Sequence, residues 1–327
     1  MEWLEELLAL AQQWLFESVI EPVMFALGLG HLLEDGYAAA GWLLVGLLQI
    51  LVLVAVIGPL QRWRPVEAVT DKRSIRTDVL YTLIHRLGLF RVALFFGVQP
   101  LTDALFGSLR LAGFGTFHLD QLWPRITELP VVSFIIYLVV FDFAEYWMHR
   151  AQHRVSWWWN LHSLHHSQRQ MTMWSDNRNH LLDDLLRDTL LVLLAQLIGV
   201  APGQFVALVA ITQLSESLQH ANLRLWFGPV GERLWISPRF HRLHHGIGVG
   251  HESGTRGPAI VQGRSPALGG RNFGVLLPWW DILFGTADFE PKYPATGVRD
   301  QVERGRDYGR GFWSQQWLGL KRLVGKA

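Results

Sequence analysis

Residues Gly41–Leu60 read GWLLVGLLQILVLVAVIGPL, a run without a charged side chain. As a helix rising 1.5 Å per residue it covers roughly 30 Å, the hydrocarbon thickness of a bilayer. This stretch therefore predicts an integral membrane protein. Pro59 and the basic run QRWRP close it. A second apolar stretch, Val79–Val98, is interrupted by His85, Arg86 and Arg91, and a third, Pro130–Trp147, carries Asp142 and Glu145 near its end. Two further runs, Leu185–Val200 and Gln204–Leu218, are joined by Ala201-Pro202-Gly203 and read as a helical hairpin whose arms are short for a full crossing. The expected fold is all-α, with four to five transmembrane or half-spanning helices and a His-rich helical cap.

Composition agrees. Of 327 residues, 50% are hydrophobic and only 17% charged, with a mean hydropathy of +0.18; a soluble domain carries about 25% charged residues. The net charge of +1 says little about partners, and nothing suggests nucleic-acid binding. Cysteine is absent, which excludes disulfides, iron–sulfur clusters, thiolate metal sites and cysteine nucleophiles together. The 16 tryptophans suit a surface at the membrane–water boundary. The N-terminus, MEWLEELLAL, has acidic rather than basic residues, so residues 3 to 16 read as an amphipathic helix and not a signal peptide.

Charge placement predicts orientation. No Lys or Arg precedes Arg62, whereas Arg62, Arg64, Lys72, Arg73 and Arg76 follow the first span. The positive-inside rule then puts the N-terminus outside and this loop in the cytoplasm. Counting spans puts residues 107 to 129 outside and everything from His149 onward inside, as for a bacterial inner-membrane protein. No internal repeat is found. The one shift in composition is the glycine-rich segment Gly246–Arg271.

Histidine carries the chemistry. The chain contains His149-Arg-Ala-Gln-His153 directly after the third apolar run, His162-Ser-Leu-His165-His166, His220 at the end of the hairpin, and His241-Arg-Leu-His244-His245. Residues three and four apart share a helix face, so the pair and both H-x-x-H-H triads present imidazoles on one stripe. With His220 that makes nine, enough for two metal ions with four or five ligands each. Imidazole suits zinc, copper, iron and nickel alike. A site at the ends of membrane helices meets lipid chains, whose C–H bonds have neither an acidic proton nor a leaving group, so a redox metal and dioxygen are expected. Iron is the metal of choice.

The order H-x-x-x-H, H-x-x-H-H, H-x-x-H-H, followed by Asn272-Phe-Gly-Val-Leu-Leu-Pro-Trp-Trp-Asp281-Ile-Leu-Phe-Gly-Thr286, resembles the fatty acid hydroxylase/sterol desaturase superfamily. The resemblance covers about residues 130 to 290. It implies a helical membrane fold, a cytosolic di-iron centre, O2 as co-substrate, and an external electron donor such as a ferredoxin or a cytochrome b5-like protein. Carried onto this chain, the ligands are His149, His153, His162, His165, His166, His241, His244 and His245, with His220 where many members place another. Two departures stand out. Glu216 occupies a position where fuller members have a histidine, and the link from His245 to Asn272 is longer than in most.

Metal-bound imidazoles usually donate their second N–H to a carboxylate or carbonyl. Asp142 and Glu145, seven and four residues before His149, Glu216, four before His220, and Asp281 are the candidates for that role. His180, in Arg178-Asn-His180-Leu-Leu-Asp183, is a candidate ligand or substrate-side residue. His31, His85, His118 and His251 fit no spacing; His85 with Arg86 could line a cavity. Trp157-Trp158-Trp159 is read as an interfacial anchor or a lipid entry slot, and the segment 246–271 as a connector, a lid or a donor contact.

The domain expectation is a membrane-anchoring region over 1–129, a catalytic domain over 130–290 and a C-terminal tail over 291–327. The expected function is O2-dependent hydroxylation or desaturation of a membrane lipid, sterol-like or fatty acyl. Alkylglycerol-type ether-lipid oxidation is the alternative within that chemistry. A non-enzymatic haem-binding or metal-binding membrane protein is the alternative outside it.

Overall fold

The computed structural model describes residues 2–248, 250 and 270–326. These form helices and connecting loops, with one isolated bridge, Gly246 to Thr296, and no strand among the described residues. The loop expected over 246–271, and His251 within it, lie almost wholly outside the described residues.

The N-terminal amphipathic stretch is helix α1, Glu2–Leu15. The uncharged run at 41–60 belongs to a longer helix, α2, Gly30–Trp63. Its Leu47, Leu51, Val54 and Val56 are exposed, as a lipid-facing stripe should be. The run at 79–98 is two helices, α3, Lys72–Arg86, and α4, Leu89–Gly97, bent by 50°. Gly88 makes that break with φ +80, a conformation open chiefly to glycine. Helix α5, Gln99–Leu111, follows. The run at 130–147 extends into α6, Pro130–Arg154, and Val155 in extended conformation separates it from α7, Ser156–His166. The hairpin is α8, Leu181–Ile198, and α9, Pro202–His220. Gly199 (φ +70) ends α8, and Pro202 opens α9, where a missing N–H costs nothing. Helices α10, Pro238–His244, and α11, Phe312–Leu323, complete the part that matters here.

Only α2 and α6 are long and apolar enough to cross a membrane among the described residues, and the bent α3–α4 pair makes a third if taken as one span. The hairpin arms fall short of that, α8 because it carries Asp183, Asp184, Arg187 and Asp188, and α9 because Gln204, Gln213, Glu216 and Gln219 lower its hydropathy. Asp183, Asp184 and Arg187 line a cavity between the helices.

Two kinds of contact fix the helices. Tyr137 and Phe141 of α6 are buried against Ile198 and Leu208 of the hairpin, while Leu53 and Ile57 of α2 pack on Met173, Ala221 and Leu223. Where α2 meets α3, a Cβ on Gly46 would lie 1.6 Å from the carbonyl oxygen of Arg86, so the two backbones touch. Arg86 sits at this contact. It is buried and donates to Gln49 Oε1 (3.2 Å), Asp176 Oδ2 (3.0 Å), the carbonyl of Gln213 (3.0 Å) and Ser217 Oγ (2.9 Å). An ionisable group at that depth needs such partners, and here they join α2, α3 and α9.

Candidate metal centre

All nine sequence-selected histidines meet in one place, and all are buried. Helix α6 brings His149 and His153 one turn apart on its last turns, α7 brings His162, His165 and His166, α9 ends on His220, and α10 brings His241 and His244 with His245 as its cap.

They sort into two adjoining groups. The ring nitrogens of His149, His153, His162 and His166 lie within 4.8 Å of one another, as do those of His165, His220, His241 and His245. His244 joins the first side, with its ring centroid 4.4 Å from that of His149 and 4.7 Å from His166. The rings of His166 and His245 stack at 4.3 Å and link the two groups.

The hydrogen bonds decide which nitrogen is free to bind. His149 Nδ1 donates to the carbonyl of Phe273 (2.8 Å), His153 Nδ1 to Gly250 (2.8 Å), His220 Nδ1 to Glu216 (2.7 Å) and His244 Nδ1 to Arg271 (2.6 Å). A carbonyl only accepts, so each Nδ1 carries the proton and each Nε2 keeps a lone pair directed inward. His162 makes the equivalent contact to a carboxylate, Asp183 Oδ2, at 2.9 Å. The Nε2 atoms of His149, His162, His166 and His244 are buried without a hydrogen-bond partner. In the second group, His220 Nε2 lies 3.0 Å from the Nε2 atoms of both His165 and His241, and His241 lies 3.1 Å from His245. Nδ1 of His165, His241 and His245 has no hydrogen-bond partner, and ring nitrogens this crowded and under-satisfied are costly in a buried site unless a cation gathers them. Burial and the neighbouring imidazoles hold His165, His166, His241, His244 and His245 well below the ordinary histidine range, so they stay neutral and able to ligate. The donor set fits transition-metal ions bound through imidazole.

The four acidic residues singled out in the sequence all lie nearby, yet none touches a histidine through its carboxylate. Asp142 accepts from the amides of Leu276 (2.7 Å) and Leu277 (3.2 Å) and from Trp280 Nε1 (2.8 Å). Asp281 accepts from the amides of Phe273 (2.8 Å) and Gly274 (2.7 Å) and from Thr286 Oγ1 (2.6 Å). Both carboxylates thus shape the segment 272–286, which offers the Phe273 carbonyl to His149. Asn272 helps, adopting φ +56 and donating through Nδ2 to the carbonyls of Phe240 (3.0 Å) and Asp288 (2.9 Å). Asparagine tolerates this left-handed turn better than most residues. Glu145 and Glu216 both pair with Arg187, the latter at 3.3 Å, and Glu216 orients His220 through its backbone carbonyl.

Asp183 is a carboxylate in contact with one of these histidines that sequence reasoning missed. Besides His162 it accepts from Gln152 Nε2 (2.7 Å) and Trp158 Nε1 (2.6 Å). The three adjacent tryptophans therefore differ. Trp158 is buried on Asp183, Trp157 is half exposed and stacks on Trp158, and Trp159 packs 4.9 Å from the ring of His153. The one signal for Asp183 was its place three residues after His180.

His180 stands outside both groups. Its Nδ1 caps α8 by accepting from the amide of Leu182 (3.2 Å), and its Nε2 meets the carbonyl of Gln316 (2.9 Å). His85 lies 3.3 Å from Asp184, His118 packs against Gly199, and His31 sits at the start of α2.

A cavity opens beside the centre, between α6, α8 and α9. His149, His162, His165, His220 and His241 form one wall, and Glu145, Asp176, Asp184, Arg187 and Glu216 face them. Met148 and Val275 are its few apolar linings.

Comparison with known proteins gives the same direction. Residues 134–286 match the model of the fatty acid hydroxylase family. The chain is 28% identical over 283 residues to an ornithine lipid hydroxylase of Rhizobium tropici, covering 84% of this chain and 76% of that protein. It is 27% identical over 172 residues to an alkylglycerol monooxygenase of Caenorhabditis elegans, covering 51% of this chain and 30% of that one. It is 28% identical over 146 residues to a delta(7)-sterol 5(6)-desaturase of Aspergillus fumigatus, covering 38% and 44%. The last two matches thus span less than half of those proteins. No solved structure matches the chain.

Proposed function

Given that this chain belongs to the fatty acid hydroxylase/sterol desaturase superfamily, we propose that it is a membrane-bound, non-haem di-iron oxygenase that hydroxylates a membrane lipid. The observation that carries this reading is the pair of adjoining, buried imidazole groups, linked by the stacked rings of His166 and His245. His149, His153, His162, His166 and His244 would hold one ion, and His165, His220, His241 and His245 the other. Bound iron would supply the dioxygen chemistry that an unactivated C–H bond requires. The residues around it do the rest. Asp183 and the carbonyls of Phe273, Arg271, Glu216 and Gly250 fix the ring orientations, and burial keeps bulk water away.

Residues 130–290 would form the catalytic unit, with 1–129 as anchor and 291–327 as tail. The early basic loop favours a cytoplasmic centre and an external N-terminus. The polar lining of the cavity favours attack on a carbon close to a lipid headgroup over one deep in an acyl chain, and the relative that acts on ornithine lipids is consistent with this. Ether-lipid oxidation is a second reading, supported by the match to an alkylglycerol monooxygenase.

The test compares lipids from cells making the wild type with those from cells making His165→Ala or His244→Ala. A lipid gaining one oxygen only with the wild type is expected. Loss of two hydrogens instead would make the enzyme a desaturase, and identical lipid profiles would end the oxygenase reading.

A further inference from the structure

Hydroxylation of a C–H bond by dioxygen turns one C–H and one O2 into one C–OH and one water, and takes up two electrons and two protons. If the oxygenase reading above holds, on which this inference rests, a reductant must reach a centre whose histidines are all buried. The cavity beside them carries five carboxylates, Glu145, Asp176, Asp183, Asp184 and Glu216, against the single arginine Arg187, and does not favour an anionic donor.

A second opening lies elsewhere, between the start of α3, the loop leaving α7 and the segment before α11. Arg73, Arg169, Arg178, Arg306 and Arg310 line it, against Asp71 and Asp307. Arg178 is paired with Asp78, and Arg306 with Asp300. Arg73, Arg169 and Arg310 are exposed and make no ion pair with any described residue. Both aspartates are turned to backbone, Asp71 accepting from Ser74 N (3.0 Å) and Asp307 from Gly309 N (2.8 Å). The groove also touches the centre's own scaffold. Its wall includes Ser167, the residue next to His166, and Gln301 Nε2 donates to the Ser167 carbonyl (3.1 Å).

We propose that this arginine groove is the docking site of an acidic one-electron carrier protein, two reduced molecules of which are oxidised per turnover. An excess of unpaired positive charge steers an acidic partner into place and orients it, an effect that salt screens. The chain then offers a covalent route of one residue from groove wall to ligand helix. A groove serving only to hold a lipid headgroup would have no need of that adjacency.

The test uses the full-length protein with Arg73→Glu, Arg169→Glu and Arg310→Glu combined, and a second variant with alanine at the same positions. Lipid product is measured in cells, where the native donor works, and with purified protein reduced by dithionite and given a lipid extract of the same cells. The expected result is a fall of about tenfold or more in the cellular product of the charge-reversed protein. The alanine form should fall less, and both should keep the wild-type metal content and dithionite-driven turnover. Unchanged cellular product at equal protein level would overturn the proposal. So would parallel loss of both rates, which would make the groove a lipid-headgroup or structural site. A wild type that forms no product from either source would instead remove the oxygenase reading, and this proposal with it.

Discussion

The carboxylate of Asp183 lies 2.9 Å from Nδ1 of His162, and its other oxygen takes the N–H groups of Gln152 and Trp158. Helix α8 of the hairpin is thereby bound to the two helices that supply five of the nine imidazoles, α6 and α7. The same contact directs His162 Nε2 toward the first group of histidines.

Asp183→Asn keeps the shape and removes the charge. Losing such a partner of a metal-bound histidine typically costs ten- to hundredfold in metal affinity. Competition with a graded chelator series should show a loss of about that size, with the protein still in the membrane. Wild-type metal retention would mean that His162 is oriented without Asp183.

Asp281→Ala leaves the amides of Phe273 and Gly274 without their acceptor. Each buried orphan costs about 1–3 kcal/mol, and the Phe273 carbonyl that orients His149 loses its support. Thermal unfolding in detergent should begin at lower temperature, and metal content should drop in parallel. A normal unfolding curve would show that the segment 272–286 holds itself.

His220 and His180 separate ligands from scaffolding. His220→Ala should lower bound metal, because its Nε2 is central among the second group. His180→Ala should keep the metal but lose about 1 kcal/mol of stability with the cap of α8, and more if α11 detaches at Gln316. Metal analysis and thermal unfolding of both mutants, purified alike, check this. Metal loss in His180→Ala with full retention in His220→Ala reverses the assignment.

Gly46→Val places a branched side chain where a Cβ alone would sit 1.6 Å from the Arg86 carbonyl. Helices α2 and α3 must then separate, pulling Arg86 from Gln49 and Asp176. Membrane-inserted protein should fall severalfold in yield. Normal yield and stability would show that this interface gives way freely.

Much of the centre was legible because ligand spacing is local. H-x-x-x-H and H-x-x-H-H put their rings on one helical stripe, and that stripe is what each helix carries. The main spans were legible for the same reason, as apolar runs, uncharged over 41–60 and with Asp142 and Glu145 only near the end of 130–147. What escaped the sequence is long-range. The oxygens that orient His149 and His244 are backbone carbonyls 124 and 27 residues away, and no side-chain pattern marks a carbonyl. Asp142 and Asp281 were selected as partners of histidine, yet they act one step removed, on the loop that presents the Phe273 carbonyl. Glu216 lay at the right spacing, but its backbone oxygen does the work while Arg187 takes its carboxylate. Arg187, inside an apolar run of the hairpin, drew no reading because its partners Glu145 and Glu216 lie 42 and 29 residues away.

The most direct measurement is the metal content of the full-length protein, purified in detergent and analysed for every transition metal alongside its visible spectrum. The geometry of two adjoining imidazole groups leads to about two irons per chain, no haem absorption, and less iron in His165→Ala and His244→Ala. Stoichiometric zinc, a haem band, or iron unchanged in both mutants would contradict a di-iron oxygenase.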